Sequence, residues 1–277
     1  MQEEFKKFRP SPEYPVYPPY HTGAYLEDYF CNWFYENKVD AERQYIPVSW
    51  TTCYIDKKTE GLQELLDKLD PNGKYFTVCQ YDDGILNRLP PNTMQFNAGG
   101  RSGGIPIPLI CSPIPSLPNI DPENKSITAS FVGSFTHPIR GSMYEVLAGR
   151  DGYDLQIKNW SQKVAQAEMS KFINTSALSK FLLCPRGYGL NSFRLYEAFQ
   201  LGCVPVVITD ELFLPWEEEL DWSEFAIIIK QNNIKNMHFV LENVTESDYN
   251  NMLSNGKKVY EQYFTLDGMC KNIIKRI

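Results

Sequence analysis

Two short apolar runs, KFLLC (Lys180 to Cys184) and VPVVI (Val204 to Ile208), enclose one helix-patterned segment that opens at Asn191-Ser192 and carries Arg194 and Glu197. Strand, helix and strand within about thirty residues make a βαβ unit. The connection in such a unit is right-handed and its two strands run parallel. No other feature restricts the fold as strongly, because a parallel sheet collects its ligands at the carboxyl ends of its strands. The loop Pro-Arg-Gly-Tyr-Gly, between the first run and the helix, stands at that edge.

The same alternation extends over the second half of the chain. Strands are expected at Ile127 to Val132, Tyr153 to Ile157 and Phe225 to Ile229, with helices at Pro138 to Ala148, Gln162 to Phe172 and Phe193 to Leu201, and helical segments to the end. In the first half, a helix over Ala24 to Lys38 and another over Leu62 to Leu69 alternate with strands at Tyr45 to Trp50 and Tyr75 to Tyr81. Prolines and glycines dominate Asn87 to Pro118, which leaves room for short strands near Met94 to Asn97 and Ile107 to Cys111 only. The first twenty residues, rich in Pro and Tyr, are expected to lie as an extended arm. The polar stretch SLPNIDPENK (Ser116 to Lys125) serves as a linker, which divides the chain into domains 1–120 and 121–277, the last helix packing back on the first domain. Two α/β halves joined in this way predict a cleft between them.

Composition narrows the partners. A net charge of −7 and only short basic clusters argue against a nucleic-acid binder. Seven scattered cysteines without Cys-x-x-Cys spacing fit reduced thiols in a cytoplasmic protein. No apolar run reaches the roughly 18 residues of a membrane helix, and the N-terminus has no apolar signal region, so no membrane anchor is expected. Sequons at Asn124, Asn159, Asn174 and Asn243 are read as chance.

Three clusters carry candidate chemistry. Ser192 or Asn191 makes a good N-cap, and a helix end preceded by two glycines favours an anion. Arg194 and Glu197, three apart, share a face and lean toward that end; an arginine for phosphate and a carboxylate for vicinal hydroxyls suit a nucleotide. The competing reading is a surface ion pair. Arg140, in FVGSFTHPIRG, repeats the theme in the first turn of another helix, with Pro138 at its start. Asp82 and Asp83 follow a strand directly and precede Gly84; one can serve as a general base, or the trio can be an ordinary turn. Both acids on a divalent metal would need more ligands than the neighbourhood supplies. The turn NAGGRSGG (Asn97 to Gly104) either passes close to a ligand or is only flexible; it lacks a dinucleotide fingerprint. Tyr20 and His21, in an aromatic N-terminal region, offer stacking faces for an acceptor sugar.

The run FLLCPRGYGLNSFRLYEAFQLGCVPVVITDELFLPWEEELDWSEFAI resembles the signature of exostosin-like glycosyltransferases, sequence family 47. FVGSFTHPIRG resembles the family's preceding Arg-bearing turn, and YPPYHTGAYLEDYF its N-terminal entry. The resemblance implies a GT-B fold, two Rossmann-like α/β domains facing across a central cleft, with the second holding the nucleotide sugar. It implies inversion at the anomeric carbon and no bound metal or other cofactor. Carried over by position, Ser192, Arg194 and Glu197 belong to the donor site with Glu197 toward the ribose, Arg140 lies toward the diphosphate, and Arg186 is a further donor contact. Asp82, in YDDG, falls where many relatives have an acid before a glycine. The anchorless build resembles forms encoded by large algal viruses, and xylose is the sugar expected.

The activity expected is transfer from a UDP-sugar to a hydroxyl of a glycan acceptor, with Asp82 as base and Asp83 in reserve. Its rival is a non-catalytic module of the same fold that binds a glycan or nucleotide sugar.

Overall fold

The computed structural model describes residues 3–9, 25–110, 113–114, 117–118, 120–161 and 164–277. The chain divides into two compact units, Met1–Ser112 with Thr265–Ile277, and Pro113–Phe264. Each is α/β around a parallel sheet, the Rossmann-like build expected for a GT-B chain.

In unit 1 the strands β1 (Gln44–Tyr45), β2 (Tyr75–Cys79), β3 (Thr93–Asn97) and β4 (Ile105–Pro106) pair in that order, all parallel. Its helices are α1 (Leu26–Glu36), α2 (Trp50–Ile55), α3 (Leu62–Leu66) and the returning C-terminal α9 (Leu266–Ile274). β2 is buried along its whole length. Its one polar side chain is satisfied, since the Thr77 hydroxyl accepts from Trp50 Nε1 (2.8 Å) and donates to the Ile46 carbonyl (2.9 Å). Trp33 Nε1 of α1 donates to Asp267 Oδ1 of α9 at 2.8 Å.

In unit 2 the strands β5 (Ile127–Ser134), β6 (Tyr153–Lys158), β7 (Ser179–Pro185), β8 (Val204–Thr209) and β9 (Ile227–Lys230) lie in the order β6-β5-β7-β8-β9, all parallel. The connecting helices are α4 (Pro138–Leu147), α5 (Gln166–Ala177) and α6 (Phe193–Gln200), and α7 (Met237–Glu242) and α8 (Glu246–Val259) follow the sheet. Counted within the unit this is the doubly wound order 2-1-3-4-5. Its topological switch point lies between β5 and β7, where such folds place ligands.

Several expectations are corrected. The N-terminal arm begins with a short 3-10 helix, Glu4–Phe8, whose Phe5 and Phe8 enter the core; residues 10–24 lie outside those described. The strand expected over Tyr45 to Trp50 stops at Tyr45: after Ile46 the next N–H in line for β2, that of Val48, donates to the Ile46 carbonyl (3.1 Å), and Trp50 opens α2 instead. The strand expected over Ile107 to Cys111 does not form at 107–110; pairing is confined to β4 just before it, because its partner β3 ends at Asn97, and Cys111 lies outside the described residues. α5 begins at Gln166 rather than Gln162 and continues past Phe172 to Ala177.

The unit boundary falls at 112/113 instead of 120/121 because the linker's end is anchored. The Ile114 N–H donates to Gln200 Oε1 at 2.8 Å. Lys125, the last linker residue, is buried, and its Nζ donates to the carbonyls of Ala177 (2.8 Å) and Ser179 (3.0 Å). Burial pulls the Lys125 pKa down and pushes the neighbouring Cys203 thiol up to about 11. Lys125→Met leaves both carbonyls without this donor and is expected to lower stability by about 2–4 kcal/mol. Urea denaturation measures it; a loss under about 0.5 kcal/mol would mean that the carbonyls find other partners.

Candidate functional site

β5 and β7 end side by side at the switch point, and Arg140 joins their ends. From the first turn of α4, its Nη1 donates to the Ser134 carbonyl (2.6 Å), Nη2 to Pro185 (3.2 Å) and Nε to Arg186 (3.0 Å). The guanidinium also lies over the Phe131 ring, 5.4 Å from its centroid. The glycine of the Pro-Arg-Gly loop fits closely here, because a Cβ on Gly187 would lie 3.2 Å from both Arg140 Nη2 and Thr136 Oγ1, which would have to give by a few tenths of an ångström. In this structure Arg140 holds the edge together, its planar fork spread over main-chain carbonyls.

Arg186 is buried at the same edge, with Nη1 on Asp210 Oδ1 at 2.7 Å and Nη2 on the Tyr188 carbonyl at 3.1 Å. Partial burial works to raise the Asp210 carboxyl, yet the Arg186 hydrogen bond and charge hold it below its usual value. Arg194 and Glu197 meet as their spacing requires, with Arg194 Nη1 donating to Glu197 Oε2. The pair is not the surface ion pair of the competing reading. Glu197 is 2% exposed, and Arg194 reaches the Val132 carbonyl of β5 through Nε (3.1 Å) and Nη2 (2.9 Å) while stacking 3.9 Å over Phe172.

Ser192 is the N-cap of α6, with extended φ −141° and ψ 132°, and its side chain makes no capping bond. Asn191 Oδ1 instead accepts from the Ser192 N–H (2.9 Å) and from the Tyr196 hydroxyl (3.2 Å). A small depression lies here, lined by Arg186, Asn191, Ser192, Thr209, Glu211 and Leu214. The structure thus gathers Arg186 and Ser192 around one depression, Arg140 behind it and the Arg194–Glu197 pair in the first turns of α6. An uncapped helix start beside a buried guanidinium can receive an anion.

In unit 1, Asp82 and Asp83 form the turn after β2, closed by the Gly84 N–H donating to the Tyr81 carbonyl at 2.9 Å. The Gly-rich turn after the neighbouring β3 packs against it. A Cβ on Gly99 would lie 2.3 Å from Asp82 Cα, and one on Gly84, whose φ is +69°, would lie 1.7 Å from Ser102 Oγ. The glycines therefore serve close approach of two backbone turns. Arg101 completes the contact, its N–H donating to the Asp82 carbonyl (3.2 Å) and its Nε to Asp83 Oδ1 (2.8 Å). Tyr20 and His21 lie outside the described residues.

The sequence reading passed over Glu27 and Asp28, which are 1% and 2% exposed in the first turn of α1. Glu27 Oε1 accepts from the Thr51 N–H (2.7 Å) and Oε2 from the Gln80 N–H (2.8 Å). Asp28 accepts from the Ser49 hydroxyl and from the Tyr25 N–H (3.3 Å). Burial, then the Asp28 charge, raises Glu27 to about 7 against hydrogen bonds from Thr51 that work the other way; burial likewise raises Asp28 to about 6. The available signal was two adjacent acids inside the apolar helix start YLEDYF.

Comparison with known proteins points the same way. The exostosin GT47 domain matches residues 91–244, which include Arg140, Arg186, Ser192, Arg194 and Glu197 but neither Asp82 nor Glu27. A probable glycosyltransferase of Arabidopsis thaliana is 27% identical over 142 residues, 51% of this chain and 26% of its own length. An exostosin-1 homolog of Caenorhabditis elegans is 34% identical over 106 residues, 36% of this chain and 28% of its own. A probable glucuronoxylan glucuronosyltransferase of Arabidopsis thaliana is 41% identical over 70 residues, 25% of this chain and 15% of its own. The chain spans about a quarter of the length of the first two relatives.

Ionising Glu27 costs the folded state, since its pKa there lies above the ordinary 4.5. The folded form holds the proton more tightly, so stability falls as pH rises from the ordinary value through about 7. Glu27→Gln cannot ionise, so the difference in melting temperature between it and wild type is expected to move in the variant's favour as pH rises from about 5 to about 8, whatever its starting value. Thermal melts of the two proteins across that range test this; a difference independent of pH would contradict it.

Proposed function

The chain belongs to the exostosin GT47 domain family, and on that premise we propose that it transfers a sugar from a UDP-sugar to a hydroxyl of a glycan acceptor. The observation that carries the reading is the buried arginine set at the carboxyl edge of the unit 2 sheet, beside a helix start without a side-chain cap. The UDP diphosphate is assigned to that edge, with Arg186 and the α6 N–H groups as donors to it and Arg140 holding the strand ends in place. Glu197, one turn along α6, is the acid assigned to the ribose hydroxyls.

Asp82 is the proposed base. Asp83, which Arg101 engages, stands in reserve. The acceptor hydroxyl gives its proton to the Asp82 carboxylate as its oxygen bonds to the anomeric carbon. The bond from that carbon to the diphosphate oxygen breaks on the opposite face, so configuration inverts and UDP departs with the electron pair. A leaving group of this quality needs positive charge and N–H donors more than a proton, and the proposal assigns no role to a metal or other cofactor. Xylose is the sugar first in line on the resemblance to viral forms, and glucuronate is the competitor that the name of one plant relative raises. Six free, buried cysteines among the described residues support a reducing compartment such as the cytosol. No helix among the described residues is long and apolar enough to cross a membrane.

The test is mass spectrometry of a glycan acceptor incubated with a panel of UDP-sugars. Saturable binding without product would leave a non-catalytic module instead. Asp82→Asn is expected to lower kcat by about two to four orders of magnitude with UDP affinity retained. Glu197→Ala should mainly weaken donor binding, read by titration calorimetry; unchanged turnover in Asp82→Asn would move the base elsewhere. Transfer should also survive a chelator, and activity restored only by added Mn²⁺ would overturn the metal-independent reading.

A further inference from the structure

We propose that Glu27 is the positioning residue for the Asp82 turn, its buried carboxylate fixing the backbone from which that turn departs. The catalytic meaning of this rests on Asp82 being the base.

Glu27 joins three elements at the carboxyl edge of the unit 1 sheet. It sits in the first turn of α1, takes the Thr51 N–H from the first turn of α2 at 2.7 Å, and takes the Gln80 N–H just past the end of β2 at 2.8 Å. Gln80 returns the contact, its Oε1 accepting from the Leu26 N–H at 2.9 Å. Residue 80 is thus latched from both sides, two positions before Asp82. Beyond Asp82, the Arg101 N–H holds its carbonyl and Gly99 admits its backbone. The turn is pinned at both ends, by Glu27 before it and by the Gly-rich loop after it. Both oxygens of Glu27 are committed to main-chain N–H groups, so its part is to position and not to meet the substrate.

The latch depends on charge. Two N–H donors face the carboxylate, so a proton on either oxygen leaves one N–H facing a hydroxyl oxygen, a poorer acceptor, and weakens that contact. The titratable groups facing Glu27 are Asp28 on its own helix, Tyr45 of β1, Cys53 of α2 and Cys79 of β2. None of these supplies positive charge, so burial and Asp28 bring protonation up to about 7.

Glu27→Gln keeps the shape but offers an N–H₂ where an acceptor is needed. It is expected to lower kcat about ten- to a hundred-fold, with KM for the UDP-sugar changed less than about twofold. Wild-type kcat should fall on the acid side of neutrality, and in Glu27→Gln it should be low and flat across the same interval. Hydrogen exchange of the peptide spanning 78–84, corrected for intrinsic rates, reads the latch without any chemistry. Protection should weaken below neutral pH in the wild type and be weak at every pH in Glu27→Gln; Gln80→Ala, which removes the return contact, should loosen the same peptide. Wild-type protection in Glu27→Gln overturns the proposal whatever Asp82→Asn does. Loosened exchange with full turnover in Asp82→Asn keeps the latch and removes Asp82 as the base.

Discussion

Parallel strands that end side by side leave their last carbonyls pointing at the same edge, and three of those at the unit 2 switch point are met by one side chain. The Arg140 guanidinium takes the carbonyls of Ser134, Pro185 and Arg186. Each, left buried without a donor, would cost about 1–3 kcal/mol. No other side chain presents five N–H donors in a rigid plane. The loop that carries Arg186 can therefore lie tight against the strand ends, and Asp210 and the start of α6 take their places around it.

The two units handle buried charge in opposite senses, and the backbone explains both. In unit 2 the buried cations Lys125 and Arg140 are surrounded by carbonyl oxygens at strand and helix ends. In unit 1 the buried acids Glu27 and Asp28 are surrounded by N–H groups at helix starts and a strand end. Neither arrangement relies on a partner of opposite charge alone, as Lys125 and Glu27 make clear. Fixed main-chain dipoles supply the compensation, and they do so only while the elements keep their positions.

Periodicity made most of the fold legible. The continuous apolar runs YFTVC, KFLLC and VPVVI are strands buried on both faces, and spacing alone put Arg194 and Glu197 together. What it could not show was competition for backbone donors. The Val48 N–H turns to the Ile46 carbonyl and ends a strand that its apolar neighbours favour, and in the helix that follows Glu27 receives the Thr51 N–H. The same blindness hid Glu27 and Asp28, since an acid in a first helical turn reads as a solvated dipole partner until the burial of that turn is known. The glycines of Asn97 to Gly104 were ambiguous for a related reason. Their purpose is set by the Asp82 turn, some fifteen residues away in sequence and touching only in space.

The return of α9 to unit 1 has a consequence for how the chain comes into being. Unit 2 is an unbroken stretch, Pro113–Phe264, whereas unit 1 needs both Met1–Ser112 and Thr265–Ile277. As the polypeptide leaves the ribosome, the five-stranded sheet can close as soon as its own residues have emerged, while the half made first must wait for Asp267 to reach Trp33. The unit that holds the arginines is therefore complete before the one that holds the acids, in the reverse of the order in which they are written.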